Sequence, residues 1–430
     1  MRKKIWLVLG SALALRLISL NQSLWLDEAI TARVVRQYGL GEIVKMFSVV
    51  DFHPPLYYWI LKLWTGVLGL GEISLRMPSV VFGVITVWLV YQLGKEIKNE
   101  KTGLGAGILT AVNPLLIYYS QEARMYSLAV MWLTAAVLYF FKIEKKESRS
   151  NIVLFNLFGF LALVSFYGSI FLIVTMLAWW LVKKKWQLLT KTGWGLAIAM
   201  GAMGPLLIKQ WQNSQLLLGE VTGWKNVLGK SSLKNLILIP VKFGSGRISF
   251  YPKKIYYLMA GTWTTGILLN LKKNIKLGFL LLMPLILAGI VSFKVPMMQY
   301  FRFLYLVPIM CLVIKPKKVL VVGFLFWSLA YLLIPQFHRE NWKGLAESLG
   351  EEVWMVTTVS DPVTYYRPEM VVRDLKQEEP EAETIEVIPY AVEIHGLDYK
   401  KKLAELGYER REEKTFREVV VEKWRRVVPR

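Results

Sequence analysis

Long apolar runs, set off from one another by short clusters of lysine and arginine, are the feature that most restricts what this chain can become. A hydrocarbon core about 30 Å thick needs roughly 17 to 25 apolar residues per helix, because every backbone polar group must find its partner within the segment. By that rule spans are expected near residues 5–20, 75–93, 103–119, 125–141, 151–166, 168–182, 193–208, 255–271, 277–293, 299–314 and 319–335, about eleven in all. Hydrophobic residues make up 54% of the 430, more than an ordinary soluble protein carries. The expected fold class is therefore a polytopic α-helical membrane protein.

Basic residues set the orientation. Arg2, Lys3 and Lys4 hold the N-terminus in the cytoplasm, and with eleven spans the clusters at 95–101, 142–149, 183–185, 272–276 and 315–318 all fall on that same side of the cell membrane. Residues 55–70 are apolar enough to cross as well, but a twelfth span would turn every one of these clusters outward. This stretch is therefore expected to lie in the outer interface, with Lys62 snorkelling and Tyr57, Tyr58, Trp59 and Trp64 at headgroup depth. The net charge of +22 raises nucleic acid as a partner, yet the lysines sit between apolar runs, where they orient helices against a lipid leaflet. No nucleic-acid partner is expected.

This topology gathers the first loop (21–74), Gln121-Glu122-Ala123-Arg124, the loop 209–254 and everything after about Pro335 on the outer face. The loop 209–254 carries Lys225, Lys230 and Lys234, which long translocated loops tolerate; a re-entrant dip near 233–241 stays open. Residues 1–335 form the membrane module. Residues 336–430 change character: they are charged, rich in Glu and free of spans, with strands expected at 353–359 and 419–421 and a helix at 401–406, a small extracytoplasmic α/β domain. The single cysteine, Cys311, excludes an internal disulfide and a cysteine-built zinc cage.

Chemistry-bearing residues concentrate on the outer side. Asp27 and Glu28 follow the first span and open a short helix, so first-turn electrostatics worth about 0.3 to 1 kcal/mol is one reading. The other is a general base, a carboxylate half-shielded by Trp25 and lipid; neighbours on a helix point about 100° apart, so one of the two faces a substrate. In Asp51-Phe52-His53-Pro54-Pro55 the prolines are expected to hold Phe52 and His53 extended. His53, beside Asp51, is then presented as orienter, phosphate partner or metal ligand. Arg16 and Arg302 lie near span ends, where a charge toward the bilayer centre costs about 2.5 to 3.5 kcal/mol unless it snorkels. Arg76 and Arg124 are placed to bind an anion, a guanidinium fork suiting phosphate at the membrane surface.

Four motifs taken in order, Ser23-Leu24-Trp25-Leu26-Asp27-Glu28-Ala29, Asp51-Phe52-His53-Pro54-Pro55-Leu56-Tyr57-Tyr58, Leu75-Arg76-Met77-Pro78-Ser79 and Tyr118-Tyr119-Ser120-Gln121-Glu122-Ala123-Arg124-Met125-Tyr126, resemble the GT-C membrane glycosyltransferases of the protein O-mannosyltransferase and aminoarabinose transferase branch. Tyr300-Phe301-Arg302-Phe303-Leu304 and Arg339-Glu340-Asn341-Trp342 extend the resemblance more weakly. It implies inverting transfer of a sugar from a polyprenyl-phosphate donor to an extracytoplasmic acceptor, which the sequence does not identify. It further implies Asp27 as base with Glu28 beside it, and Arg76, Arg124 and His53 at the donor phosphate. Asp51, Tyr57, Tyr58, Glu122 and Arg302 are supporting candidates. No cofactor is required; some members of the family bind a divalent metal, for which Asp27, Asp51 and His53 are the candidates here. A transporter or flippase is the rival reading, but it wants ionisable residues at mid-membrane and paired half-repeats.

Overall fold

The computed structural model describes residues 2–220 and 232–427, so Lys225 and Lys230 lie outside the described residues. Every expected span falls on a helix: Arg2–Leu17, Glu72–Ile97, the pair Glu100–Ala111 and Pro114–Ser120, Tyr126–Lys145, Arg149–Leu163, Ile170–Val182, Trp194–Glu220, Lys253–Leu268, Ile275–Val291, Tyr300–Leu306 running into Val307–Val313, and Lys318–Leu333. Two of these, Glu72–Ile97 and Tyr126–Lys145, are long and apolar enough to cross a membrane unbroken; the bent pair at 100–120 makes a third if it is one span. Most of the remainder are apolar helices of intermediate length; the 16 residues of Lys318–Leu333 reach about 24 Å.

The bend of 62° within the pair has a local cause. Asn113 caps the second helix through its side-chain oxygen, which accepts from the N–H groups of Leu115 and Leu116, and Pro114 fills the first helical position where no donor is needed. The Asn113 amide also donates to the Phe243 carbonyl, tying the bend to the helix Leu233–Ser245. Turned in this way, Pro114–Ser120 delivers Gln121 to Arg124 to one end of the molecule.

The five basic clusters meet at the opposite end. Glu144 accepts from Lys185 at 3.2 Å and from Lys276, Lys145 pairs with Glu96 at 3.0 Å, and the backbones of Lys272 and Lys315 bond across to Val313 and Asn270. Their common location is what the charge pattern required.

Several expectations are corrected. Lys62 does not snorkel: its ammonium donates to the Val35 carbonyl at 2.9 Å, closing the last turn of the helix Leu26–Gln37. Tyr57 and Tyr58 are wholly buried rather than at headgroup depth, although their helix, Leu56–Leu68, is too short at about 20 Å to span a bilayer. Phe52 is left-handed (φ 58°), not extended, because the steric rule before proline acts on His53 alone. Arg16 faces protein instead of snorkelling; it donates to Ser120 Oγ and to the carbonyls of Ala12 and Ala111. Gly83 makes the room, since a Cβ there would lie 2.8 Å from the Arg16 Nε.

Beyond Pro335 the chain forms a five-stranded sheet of order β2-β1-β3-β5-β4. β1 (Glu352–Met355) lies parallel to β2 (Val371–Asp374) and β3 (Thr384–Val387), while β5 (Val419–Arg426) runs antiparallel to β3 and to β4 (Tyr408–Phe416). The edge strand β4 is almost entirely charged on its exposed positions, which discourages pairing with another chain. The helix Asp361–Tyr366 docks this domain on the first outer loop: Tyr365 donates to the Leu70 carbonyl at 2.6 Å, the Leu24 N–H donates to the Tyr366 hydroxyl at 2.8 Å, and Asp361 pairs with Arg33.

At the junction of these parts lies a buried ion pair. Arg76 gives all five of its N–H groups away: Nε and Nη2 to the two oxygens of Glu28 at 2.8 and 2.5 Å, and the rest to the carbonyls of Leu20, Gln22 and Ser23. Glu28 Oε1 also accepts the Ala123 N–H at 2.8 Å. Burial pushes the Glu28 carboxyl up, but Arg76, Arg339 and that N–H together bring it below its ordinary value, so its contribution to stability holds at neutral pH and is lost on acidification. Removing one member strands the other charge, which costs about 3 to 5 kcal/mol. Glu28→Gln and Arg76→Met should each lower the thermal unfolding midpoint in bilayer mimetic by many degrees; an unchanged midpoint in both would contradict this role.

Candidate active site

The short helix that opens at Leu26 presents its two acids in opposite directions. Glu28 turns inward to Arg76, while Asp27 keeps a third of its side chain open (34%) and touches Arg124 Nη2 only at 3.6 Å. Arg124 in turn donates to the Tyr58 hydroxyl at 3.1 Å and lies 4.0 Å from Asp51. The second oxygen of Asp51 accepts from Tyr58 at 2.6 Å and from His53 Nδ1 at 2.9 Å, so the donor proton of that ring sits on Nδ1. Burial raises the Asp51 carboxyl, yet His53, Arg124 and the two hydrogen bonds outweigh it and keep it below its usual range.

This arrangement does not fit a divalent metal among Asp27, Asp51 and His53. The Arg124 guanidinium already stands between the two carboxylates, and His53 is turned to Asp51 through the nitrogen nearest it. Among the described residues no three His, Cys, Asp or Glu side chains converge on one point.

A cleft of about 60 Å³ is lined by Trp25, two residues before Asp27, and by Tyr118, Arg247, Ser249, His338, Arg339, Glu340 and Glu418 among others. Two guanidiniums share its two aromatic rings. Arg247 sits 5.3 Å from the Tyr118 ring and 5.8 Å from Trp25; Arg339 sits 4.3 and 5.8 Å from the same rings. Arg339 is 4% exposed, and neither of its terminal nitrogens has a hydrogen-bond partner; the Trp25 indole N–H is likewise unpartnered. Arg247 donates to the Tyr118 hydroxyl and, among the described residues, has no carboxylate within 4.0 Å. Such buried, unspent donors around two positive charges make an anion site.

The C-terminal domain supplies the facing wall. Glu340 accepts from Tyr390 at 3.1 Å and from Trp342 at 3.2 Å, and burial raises its carboxyl above the usual range.

Of the residues expected at the donor phosphate, Arg76 has no N–H left to offer, Arg124 faces Asp27, Asp51 and Tyr58 with its buried Nε unpartnered, and His53 is engaged with Asp51; none lines the cleft. Glu28, expected beside the base, is a structural partner of Arg76. Tyr57 bonds Ser79 Oγ at 3.3 Å, and Arg302 donates to the Pro296 carbonyl at 3.2 Å. Glu122 is buried 3.5 Å from Arg339. Of the two cleft arginines, the sequence reading names only Arg339, within the weaker tail motif, and gives neither a role. The available signal was position: Arg247 follows Gly246, which takes φ 71°, and Arg339 stands where the apolar spans give way to the charged tail.

Residues 52–208 match the family described as dolichyl-phosphate-mannose-protein mannosyltransferase. No curated protein sequence matches the chain. Two crystal structures of ArnT from Cupriavidus metallidurans are similar in fold: the apo state at 13% identity and the state bound to undecaprenyl phosphate at 12%, each with a TM-score of 0.50 and each covering 97% of both chains. The chain thus shares the fold of these ArnT structures, and its residues 52–208 are similar to the mannosyltransferase family.

Proposed function

We propose that this protein transfers a sugar, with inversion, from a polyprenyl-phosphate donor to an acceptor outside the cell membrane, the acceptor being a protein, lipid or envelope glycan. The observation that carries the reading is a cleft in which the terminal nitrogens of Arg339 lack hydrogen-bond partners beside Arg247, walled by Trp25, two residues before the open carboxylate of Asp27. The family match over 52–208 supports a lipid-phosphate sugar donor, and the undecaprenyl phosphate bound to the similar ArnT structure supports a polyprenyl carrier. The basic end of the helical module then faces the cytoplasm, and the cleft faces outward.

In the reaction the acceptor oxygen attacks the anomeric carbon as its proton passes to an oxygen of Asp27. The carbon–oxygen bond to phosphate breaks, and the electron pair leaves on the phosphate. Arg247 and Arg339 hold that phosphate, so it departs without a general acid. Arg124, between Asp27 and Asp51, aims the base, while Tyr58 and His53 fix Asp51 behind it. A transporter is the weaker reading, because these groups gather at one end of the helices rather than at their middle.

Two outcomes test the proposal with the protein in bilayers and a panel of radiolabelled polyprenyl-phosphate sugars, scoring released carrier phosphate. Asp27→Asn should lower turnover by about 10² to 10⁴ with donor affinity retained; full turnover would remove Asp27 as base. Arg247→Ala and Arg339→Ala should each weaken donor binding roughly ten- to a hundredfold, the loss of a charged hydrogen bond of about 1.5 to 3 kcal/mol. Equal affinity in both variants would move the phosphate elsewhere.

A further inference from the structure

Glu28 and Glu122 are both buried, and both lie near Arg339, but only one is well provided for. Glu28 holds two N–H groups of Arg76 and one of Ala123, with Arg339 at 3.9 Å. Glu122 is 1% exposed, its Oε2 accepts no hydrogen bond, and its close cation is Arg339 at 3.5 Å. That nitrogen, Arg339 Nη2, has no hydrogen-bond partner, and Arg339 lines the cleft. An anion in the cleft and the Glu122 carboxylate therefore compete for one guanidinium.

We infer that Glu122 is a proton site coupled to donor binding: as a phosphate takes the N–H groups of Arg339, the Glu122 carboxylate loses its counter-ion and binds one proton from solvent. When the phosphate leaves, the proton is released and the Glu122–Arg339 pair reforms. The inference rests on the phosphate reading of the cleft given above. No bond between heavy atoms changes in the step; one proton moves from water to a carboxylate oxygen.

The surroundings agree. The charged groups facing Glu122 are Arg339 from the junction, Glu28 from the first loop, Arg247 from the segment after Gly246, and Arg124 from its own loop. The phenols of Tyr57 and Tyr300, and of the tyrosines flanking it at 118, 119 and 126, also feel its charge. Burial is the largest influence and raises the carboxyl to about 7, with Arg339 opposing it. Added negative charge in the cleft raises it further, so uptake belongs to pH above that value and vanishes well below it, where Glu122 is already protonated. Two other cleft groups titrate: His338, held below its usual range by burial, and Glu340, raised by burial.

The test uses the full-length protein in nanodiscs and undecaprenyl methyl phosphate, a diester carrying a single charge throughout the range. Calorimetric titration in two buffers of different ionisation enthalpy counts protons taken up per ligand bound. At about pH 8 the wild-type protein should take up about 0.5 to 1 proton, falling toward zero at about pH 5.5, and Glu122→Gln should bind with uptake near zero at both. Equal uptake in wild type and Glu122→Gln at the higher pH would overturn the inference and assign the proton to His338 or Glu340. If Glu122→Gln does not fold, the wild-type pH dependence decides alone: uptake that is absent at the higher pH or persists unchanged at the lower overturns it. No binding of the diester to wild type overturns the phosphate reading itself, and this inference with it; binding without uptake overturns this inference alone.

Discussion

The Glu28–Arg76 pair is the constraint from which the working end of the molecule follows. Arg76 comes from a long membrane helix, and its five donors seize the carbonyls of Leu20, Gln22 and Ser23 together with the Glu28 carboxylate. That fixes where the segment after the first helix leaves the helical module, and so where Trp25 and Asp27 stand. By accepting the Ala123 N–H, Glu28 also anchors the tight loop that carries Glu122 and Arg124. A charge pair sealed from water adds little net stability against apolar substitutes of similar shape, but it allows few alternative arrangements. Its value here is geometric.

Around that anchor the acidic and basic residues divide into those that are satisfied and those that are not. Arg76 has every donor taken by the protein, and both oxygens of Glu28 accept hydrogen bonds. Arg339, Trp25 and Glu122 keep unpartnered polar atoms, and Asp27 retains only a long contact to Arg124. Because unsatisfied buried polar atoms are costly, their concentration in one region is informative in a way that simple proximity is not. The aromatic rings of Trp25 and Tyr118 let two guanidiniums sit in one cleft, with their π faces beside both charges.

The helices, their grouping of basic ends and the small α/β tail were legible from the sequence, because apolar run length and charge placement are local properties. So was the first-loop acid pair as a place of interest. Which acid of the two turns outward was not, because the answer lies in an arginine 48 residues away. Nor could Arg76 be told from Arg339: both are arginines near apolar helices, and only the folded chain reveals that one has spent every donor while neither terminal nitrogen of the other has a hydrogen-bond partner. Phe52 escaped for a more local reason. The prolines restrict the residue before them, and the turn needed to bring Asp51 back against His53 falls one position earlier.

The arginine with the free donors lies in the segment that joins the helical module to the tail, and the tail contributes Glu340 and Glu418 to the same cavity. The soluble portion is thus part of the vessel wall and not an appendage hung beside it. A graft border, epitope tag or engineered protease site introduced between residues 334 and 342 would breach that wall, whereas the charged rim of β4 offers a place for such additions that leaves the cavity whole.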